Sequence, residues 1–350
     1  MLKPLKIKQL VFNIPIIQGG MGVGISRHKL ASAVSREGGL GVISTAQIGY
    51  DEPEFMKDPI NTNLKAIKKH VTLAKKEAGG APIGVNIMVA TKEYEQYVRA
   101  SVEAGVDVII SGAGLPVDLP AYVKGSEAVI APIVSSEKAC HVILKLWDRK
   151  YKRTADFIVI EGPKAGGHLG FSREELAHIE DLDYDAEIKK IIECVHIYEE
   201  KYKQKIPVIV AGGIFDKQDI AHAMELGADG VQIASRFVAT KECDASEAFK
   251  QAYVAAKEED IVIVDSPVGM PGRAIRNKFI EEHKGKRDKI TKCHRCLQGC
   301  DPSKISYCIT KALINAAEGN LEEALIFVGA NVGRIKSIMS VHELILELTV

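Results

Sequence analysis

The sequence predicts an α/β fold, a (β/α)8 TIM barrel followed by an appended helical, cysteine-containing C-terminal segment. Three observations lead there. Eight short apolar runs recur before residue 235, most of them continuous rather than alternating, which is how strands buried on both faces read. Longer amphipathic segments separate the runs, as repeated strand–helix units require. Glycine and polar residues follow nearly every run, at what would be the carboxyl rim of a barrel. The competing architecture is a doubly wound dinucleotide-binding sheet. Against it, Gly20-Met-Gly22-Val-Gly24 lacks the Gly-x-Gly-x-x-Gly spacing that such a sheet carries after its first strand.

Taken in order, the expected strands cover residues 14–18, 40–44, 83–88, 106–111, 128–134, 157–161, 208–211 and 230–234. Helical patterns lie between them at 28–37, 63–77, 94–104, 137–147, 186–202 and 216–226. The 94–104 helix is expected to turn Tyr97, Val98, Val102 and Ala104 to one face. A helix over 245–257 follows the eighth strand, so the barrel is expected to occupy residues 1–258. Residues 259–350 then form an extension packed on it, with helical patterns at 311–317 and 341–348.

Bulk properties narrow the function. The chain has 46 basic and 46 acidic residues in 350, so its balance gives no long-range pull toward nucleic acid or a membrane surface. The first residues are too polar for a signal peptide, and no apolar run approaches the ~18 residues of a membrane span. The expectation is a cytoplasmic protein acting on a small molecule, with a homodimer as the commonest symmetric assembly.

The most informative segment runs from Glu161 to Gly170, Glu-Gly-Pro-Lys-Ala-Gly-Gly-His-Leu-Gly, directly after an apolar run. Glycines at Gly166 and Gly167 allow a ligand close to bare backbone, and His168 beside them titrates near neutrality. That combination suits a flat cofactor with an acid/base or orienting group next to it. Barrels often bind phosphate with the loops after strands seven and eight. Here those loops are Ala211-Gly212-Gly213-Ile214 and Ala234-Ser235-Arg236-Phe237. Their exposed N–H groups, the Ser235 hydroxyl and a helix start favour an anion. His28, His141, His178, His196 and His222 sit in helical patterns and read as surface residues, while Cys140, Cys194 and Cys243 read as core or helix-face cysteines. Cys293, Cys296, Cys300 and Cys308 form a late cluster that could hold zinc or an iron–sulfur centre, although the spacing is not that of a ferredoxin. There is no Walker A loop, no His-Glu-x-x-His and no Gly-x-Ser-x-Gly elbow.

In this order, Pro15-Ile-Ile-Gln-Gly-Gly-Met21, Gly84-Val-Asn-Ile-Met88, Glu161 to Gly170, Ala211 to Ile214 and Gly230-Val-Gln-Ile-Ala-Ser-Arg-Phe237 resemble the nitronate monooxygenase family, formerly called 2-nitropropane dioxygenases. Its relatives include flavin-dependent enoyl-acyl-carrier-protein reductases and some NAD(P)H:quinone reductases. The resemblance implies an FMN-dependent barrel oxidising alkyl nitronates with dioxygen. It implies Gly20 and Met21 under the flavin, Asn86 bonded to it, and Glu161, Gly166 and Gly167 along its ring or ribityl chain. It gives Gly212, Gly213, Gln232, Ala234 and Ser235 to the phosphate end, and makes His168 the active-site histidine. Two departures matter. Ala234-Ser235 replaces the usual Gly-Thr, keeping the N–H and the hydroxyl. Glu161 stands where many nitronate enzymes have glutamine, and a carboxylate accepts a hydrogen bond but donates one only when protonated. An acid there and Gly19-Gly20-Met21 look more like the reductase branch, which implies NAD(P)H as co-substrate and an enoyl thioester or quinone as acceptor. A third expectation is a flavin- or metal-binding protein of low turnover.

Overall fold

Eight parallel strands form the central sheet in the computed structural model, which describes residues 2–350. They are β1 (Ile16–Gln18), β2 (Gly41–Ser44), β3 (Ile83–Met88) and β4 (Val108–Gly112), then β5 (Val129–Val134), β6 (Ile158–Glu161), β7 (Val208–Ala211) and β8 (Gly230–Ile233). From β2 onward each strand pairs with the next in the chain, and β8 pairs with β1. The seam between β1 and β2 closes through Gln18 N–H to Leu40 C=O at 2.9 Å and Leu40 N–H to Ile16 C=O at 3.0 Å. The fully buried Gln18 amide spans the same seam, donating to Val42 C=O at 3.1 Å and accepting from Val42 N–H at 3.0 Å. The sheet is therefore a barrel, as the order of the apolar runs predicts.

The continuous runs have a structural cause. In β7, Ile209 and Ala211 face the barrel interior, while Val208 and Val210 face the helices. Both faces are dry, so neither can carry polar residues. The hairpin Leu5–Ile7 with Leu10–Phe12 plugs the amino end of the barrel, where Leu5, Ile7 and Phe12 join the interior cluster.

Around the barrel run α1 (His28–Arg36), α2 (Pro59–Glu77), α3 (Tyr94–Glu103), α4 (Leu119–Tyr122), α5 (Glu137–Tyr151), α6 (Tyr184–Tyr202) and α7 (Lys217–Glu225). Several start on side-chain caps: Asp58 before Pro59, Ser136, Asp183, and Asp216 in a capping box with Asp219. The buried residues of α3 are Tyr94, Tyr97, Val98 and Ser101, which follow the i, i+3, i+4, i+7 stripe, and the partly buried Val102 and Ala104 pack against the same core at its margin.

After β8 the chain makes a short helix, Ser235–Val238, and then α8 (Glu247–Ala255). Phe249 and Tyr253 of α8 pack against Ile275, Val328 and Ile335. The place between α1 and α7 is taken instead by α10 (Val341–Thr349), whose Val341, Leu344, Ile345 and Leu348 join the main helix–barrel core. Buried Arg236 ties that helix to the β8 loop, donating to Glu347 at 2.8 Å and to Phe215 C=O at 2.9 Å. Residues beyond 258 are thus woven into the helical ring. They also supply the hairpin β9 (Ile261–Asp265) and β10 (Pro271–Ile275), and α9 (Ile309–Glu318).

Candidate active site

A cavity of ≈ 440 Å³ opens at the carboxyl ends of the barrel strands. That volume falls within the usual range for small-molecule sites. Its floor and walls come from the carboxyl ends of the strands and the loops after all eight, and its roof from the segments around Met270, Cys296, Leu313 and Phe327. All twelve cofactor and catalytic residues expected from the sequence line it. Gly20 and Met21 follow β1 and Asn86 lies in β3, while Glu161 ends β6 and Gly166, Gly167 and His168 follow it. Gly212 and Gly213 follow β7, and Gln232, Ala234 and Ser235 come from β8 and its loop, with Glu161 and Gln232 in register on either side of Ala211.

The glycines are dictated by close approach. A Cβ on Gly20 would lie 2.4 Å from Asn86 Cβ, so the β1 loop can run beneath that side chain only as glycine. A Cβ on Gly166 would meet the backbone of Val328 and Gly329 at 2.7 Å, so this glycine seats the roof on the loop. Gly212 and Gly213 have φ of +88° and +101°, a left-handed run that turns the β7 loop over Gly162 and Lys164. Successive N–H groups in such a turn form a concavity suited to an anion. The helix beginning at Ser235 has only four residues, so its dipole adds little, and the Ser235 hydroxyl accepts from Gly329 N–H at 3.0 Å.

Asn86, Glu161 and Gln232 project half-buried polar side chains into the cavity, and among the described residues none of the three side chains has a protein hydrogen-bond partner. Polar groups at a largely apolar wall are normally satisfied, so these three suit a ligand with hydrogen-bonding edges. Burial alone raises the Glu161 carboxyl to about 7. The residue is further fixed through its backbone, whose C=O accepts from Tyr184 Oη at 3.0 Å.

His168 is placed by the roof. Residues Gly167–His168 form a third strand on the β9–β10 hairpin, with His168 opposite Gly272. Its Nε2 lies 2.7 Å from Ser266 Oγ, and its ring meets Phe327 edge-to-face at 4.9 Å. Burial lowers the imidazole to about 4, so it is neutral at physiological pH. The buried Arg273 guanidinium donates to Ala165 C=O and clamps the same loop. Asn331 Nδ2 donates to Gly213 C=O at 2.6 Å, and Ala330 N–H to Lys164 C=O at 3.1 Å. The sequence reading assigned no role to Arg273, Phe327 or Asn331. The partnership of Ser266 with His168 likewise emerges only from the structure.

The late cysteines do not assemble as expected. Among the described residues no three of Cys293, Cys296, Cys300 and Cys308 bring ligand atoms within 4.8 Å of one another. Cys293 is exposed, Cys296 faces the cavity, and Cys308 precedes α9 with its thiol 3.5 Å from His294 Nδ1. Burial pushes the Cys296 thiol up to about 11, which opposes the thiolate a metal needs.

Comparison with known proteins agrees with this geometry. The chain is 28% identical over 268 residues to a (3aS,4S,5R,7aS)-5-hydroxy-7a-methyl-1-oxo-octahydro-1H-indene-4-carboxyl-CoA dehydrogenase of Mycobacterium tuberculosis, a match covering 77% of this chain and 64% of that protein. It is likewise 28% identical over 293 residues to a probable nitronate monooxygenase of Staphylococcus aureus, covering 79% of each. The structure of FabK from Thermotoga maritima superposes with a TM-score of 0.74 at 26% identity, covering 96% of this chain and 92% of that one. A nitroalkane oxidase from Streptomyces ansochromogenes shares the fold, with a TM-score of 0.71 at 19% identity, over 96% and 94% of the two chains. The family model described as nitronate monooxygenase matches residues 3–350, and with the cavity lined by every expected residue, the chain belongs to the nitronate monooxygenase family.

Proposed function

We propose that this chain is an FMN-dependent oxidoreductase of the nitronate monooxygenase type, oxidising a small alkyl nitronate with dioxygen. The observation that carries the reading is a neutral, half-buried His168 in the wall of a cavity that also carries unpartnered hydrogen-bonding side chains and an anion-suited glycine turn. The residues fit FMN on these grounds. Asn86 and Glu161 would bond its edges, and Gly212, Gly213, Gln232, Ala234 and Ser235 would hold its phosphate end. Bound FMN supplies electron acceptance and reaction with dioxygen.

The chain's own residues supply position and charge. A histidine lowered to about 4 is a weak base, so it suits a substrate that arrives already ionised, as a nitronate does, rather than a neutral nitroalkane that must first be deprotonated. The hydrogen bond to Ser266 and the contact with Phe327 hold the imidazole ready to donate to an anionic oxygen. The roof residues Met270, Leu313 and Phe327 exclude water from that contact.

A second reading has its own support. Glu161 is an acid, and the Mycobacterium tuberculosis relative carries a carboxyl-CoA name, which favours an NAD(P)H-dependent reductase of an enoyl thioester or a quinone. Anaerobic mixing of the flavin-loaded protein with ethylnitronate, NADH and NADPH separates the two. The nitronate reading expects flavin bleaching by ethylnitronate alone, and a loss of at least about a hundredfold in turnover for His168→Ala. Bleaching by a nucleotide alone would move the assignment to the reductase.

A further inference from the structure

A second set of donor atoms lies on the outer helices, on residues that do not line the cavity. Glu137, Cys140 and His141 stand at i, i+3 and i+4 of α5 and so share one face. That face meets α6, where Cys194 is 4% exposed. One ligand atom each from Glu137, His141 and Cys194 lie within 4.8 Å of one another. The fully buried Cys140 thiol neighbours that of Cys194.

The surroundings fix the group before any ion arrives. Ser136 caps α5, and Glu137 N–H donates to Glu187 Oε1 at 2.7 Å, which anchors the first turn of α5 to α6. His141 is exposed and offers an entry path. The set combines imidazole, carboxylate and thiol, and thiolate and imidazole donors select zinc-like ions over magnesium or calcium.

We propose that Glu137, His141 and Cys194, with water completing the shell, form a site for a zinc-like divalent cation that pins α5 to α6. Binding displaces the thiol proton of Cys194 to solvent, leaving a thiolate and a carboxylate to balance the dication. None of the three residues lines the cavity, so the site acts on the scaffold and is separate from the oxidoreductase reading.

The test uses the flavin-loaded protein, kept reduced so that Cys140 and Cys194 stay thiols. It is equilibrated with zinc chloride, desalted and assayed for metal. The expected result is one zinc per chain, with affinity falling about tenfold to a hundredfold or more in Cys194→Ser and His141→Ala but unchanged in Cys293→Ser with Cys300→Ser. Cobalt(II) should give the intense visible band of a tetrahedral thiolate site, lost in the same two variants. Because His141 is exposed, His141→Ala keeps the test alive even if Cys194→Ser fails to fold. No retained zinc in the wild type would overturn the proposal. So would retention that survives both variants, or that is lost only with Cys293 and Cys300.

Discussion

Replacing Glu161 by glutamine should change how stability depends on pH, in a direction the structure fixes. Burial raises this carboxyl from an ordinary 4.5 to about 7. Between those values the folded, flavin-free protein keeps a proton that the unfolded chain releases, so stability falls as pH rises through the window. At 1.36 kcal/mol for each pH unit separating the two values, the wild type loses about 3 kcal/mol by pH 8, of which roughly 1 kcal/mol is already lost at pH 5. Water entering the cavity screens part of this, leaving about 2 kcal/mol between pH 5 and pH 8. Glutamine has nearly the same shape and does not titrate. Urea unfolding of the flavin-free wild type and Glu161→Gln at both pH values should therefore show the variant gaining about 2 kcal/mol on the wild type from pH 5 to pH 8. Loading FMN should shrink the gain, since a donor to the carboxylate favours its charged form. Parallel pH dependence in the two flavin-free proteins would refute the reasoning, because it would mean that the carboxyl is solvated as well when folded as when unfolded.

Three further outcomes follow from named contacts. Ser266→Ala removes the partner 2.7 Å from His168 Nε2 and should lower kcat/KM about tenfold with flavin content unchanged, checked by steady-state kinetics. Gly20→Ala forces a Cβ to 2.4 Å from that of Asn86 and should destabilise by about 1–3 kcal/mol while reducing retained flavin, read from the flavin-to-protein absorbance ratio. Leu344→Ala truncates a fully buried side chain on α10 and should cost about 2–5 kcal/mol in chemical denaturation.

The eight strands are legible because both their faces are buried, which leaves uninterrupted apolar runs such as Phe157 to Ile160 and Val208–Ala211. The β7 turn is legible because its constraint is local: a left-handed Gly212–Gly213 turn must be glycine wherever the rest of the chain goes, whereas Gly20 is imposed by Asn86 from another strand. The roof is a different matter. Ser266 reaches His168 across 98 residues, and Asn331 reaches Gly213 across 118. Such pairings follow from how the β9–β10 hairpin docks, and neither periodicity nor spacing encodes that. The late cysteines mislead for the same reason. Nearness in sequence suggests a ligand set, but the loop from 293 to 308 spends Cys296 on the cavity wall and leaves Cys293 in solvent.

The docking of α10 between α1 and α7 also orders events during synthesis. Arg236 and the apolar flank around Phe237 wait for Glu347, Leu344 and Leu348, more than a hundred residues downstream. Until residues 341–349 leave the ribosome, the nascent barrel carries an uncovered greasy groove and an unmatched guanidinium beside it. That intermediate is a natural client for a chaperone and a natural seed for aggregation. A stalled or truncated chain would therefore fail at the first strand–helix unit, far from the break that caused it.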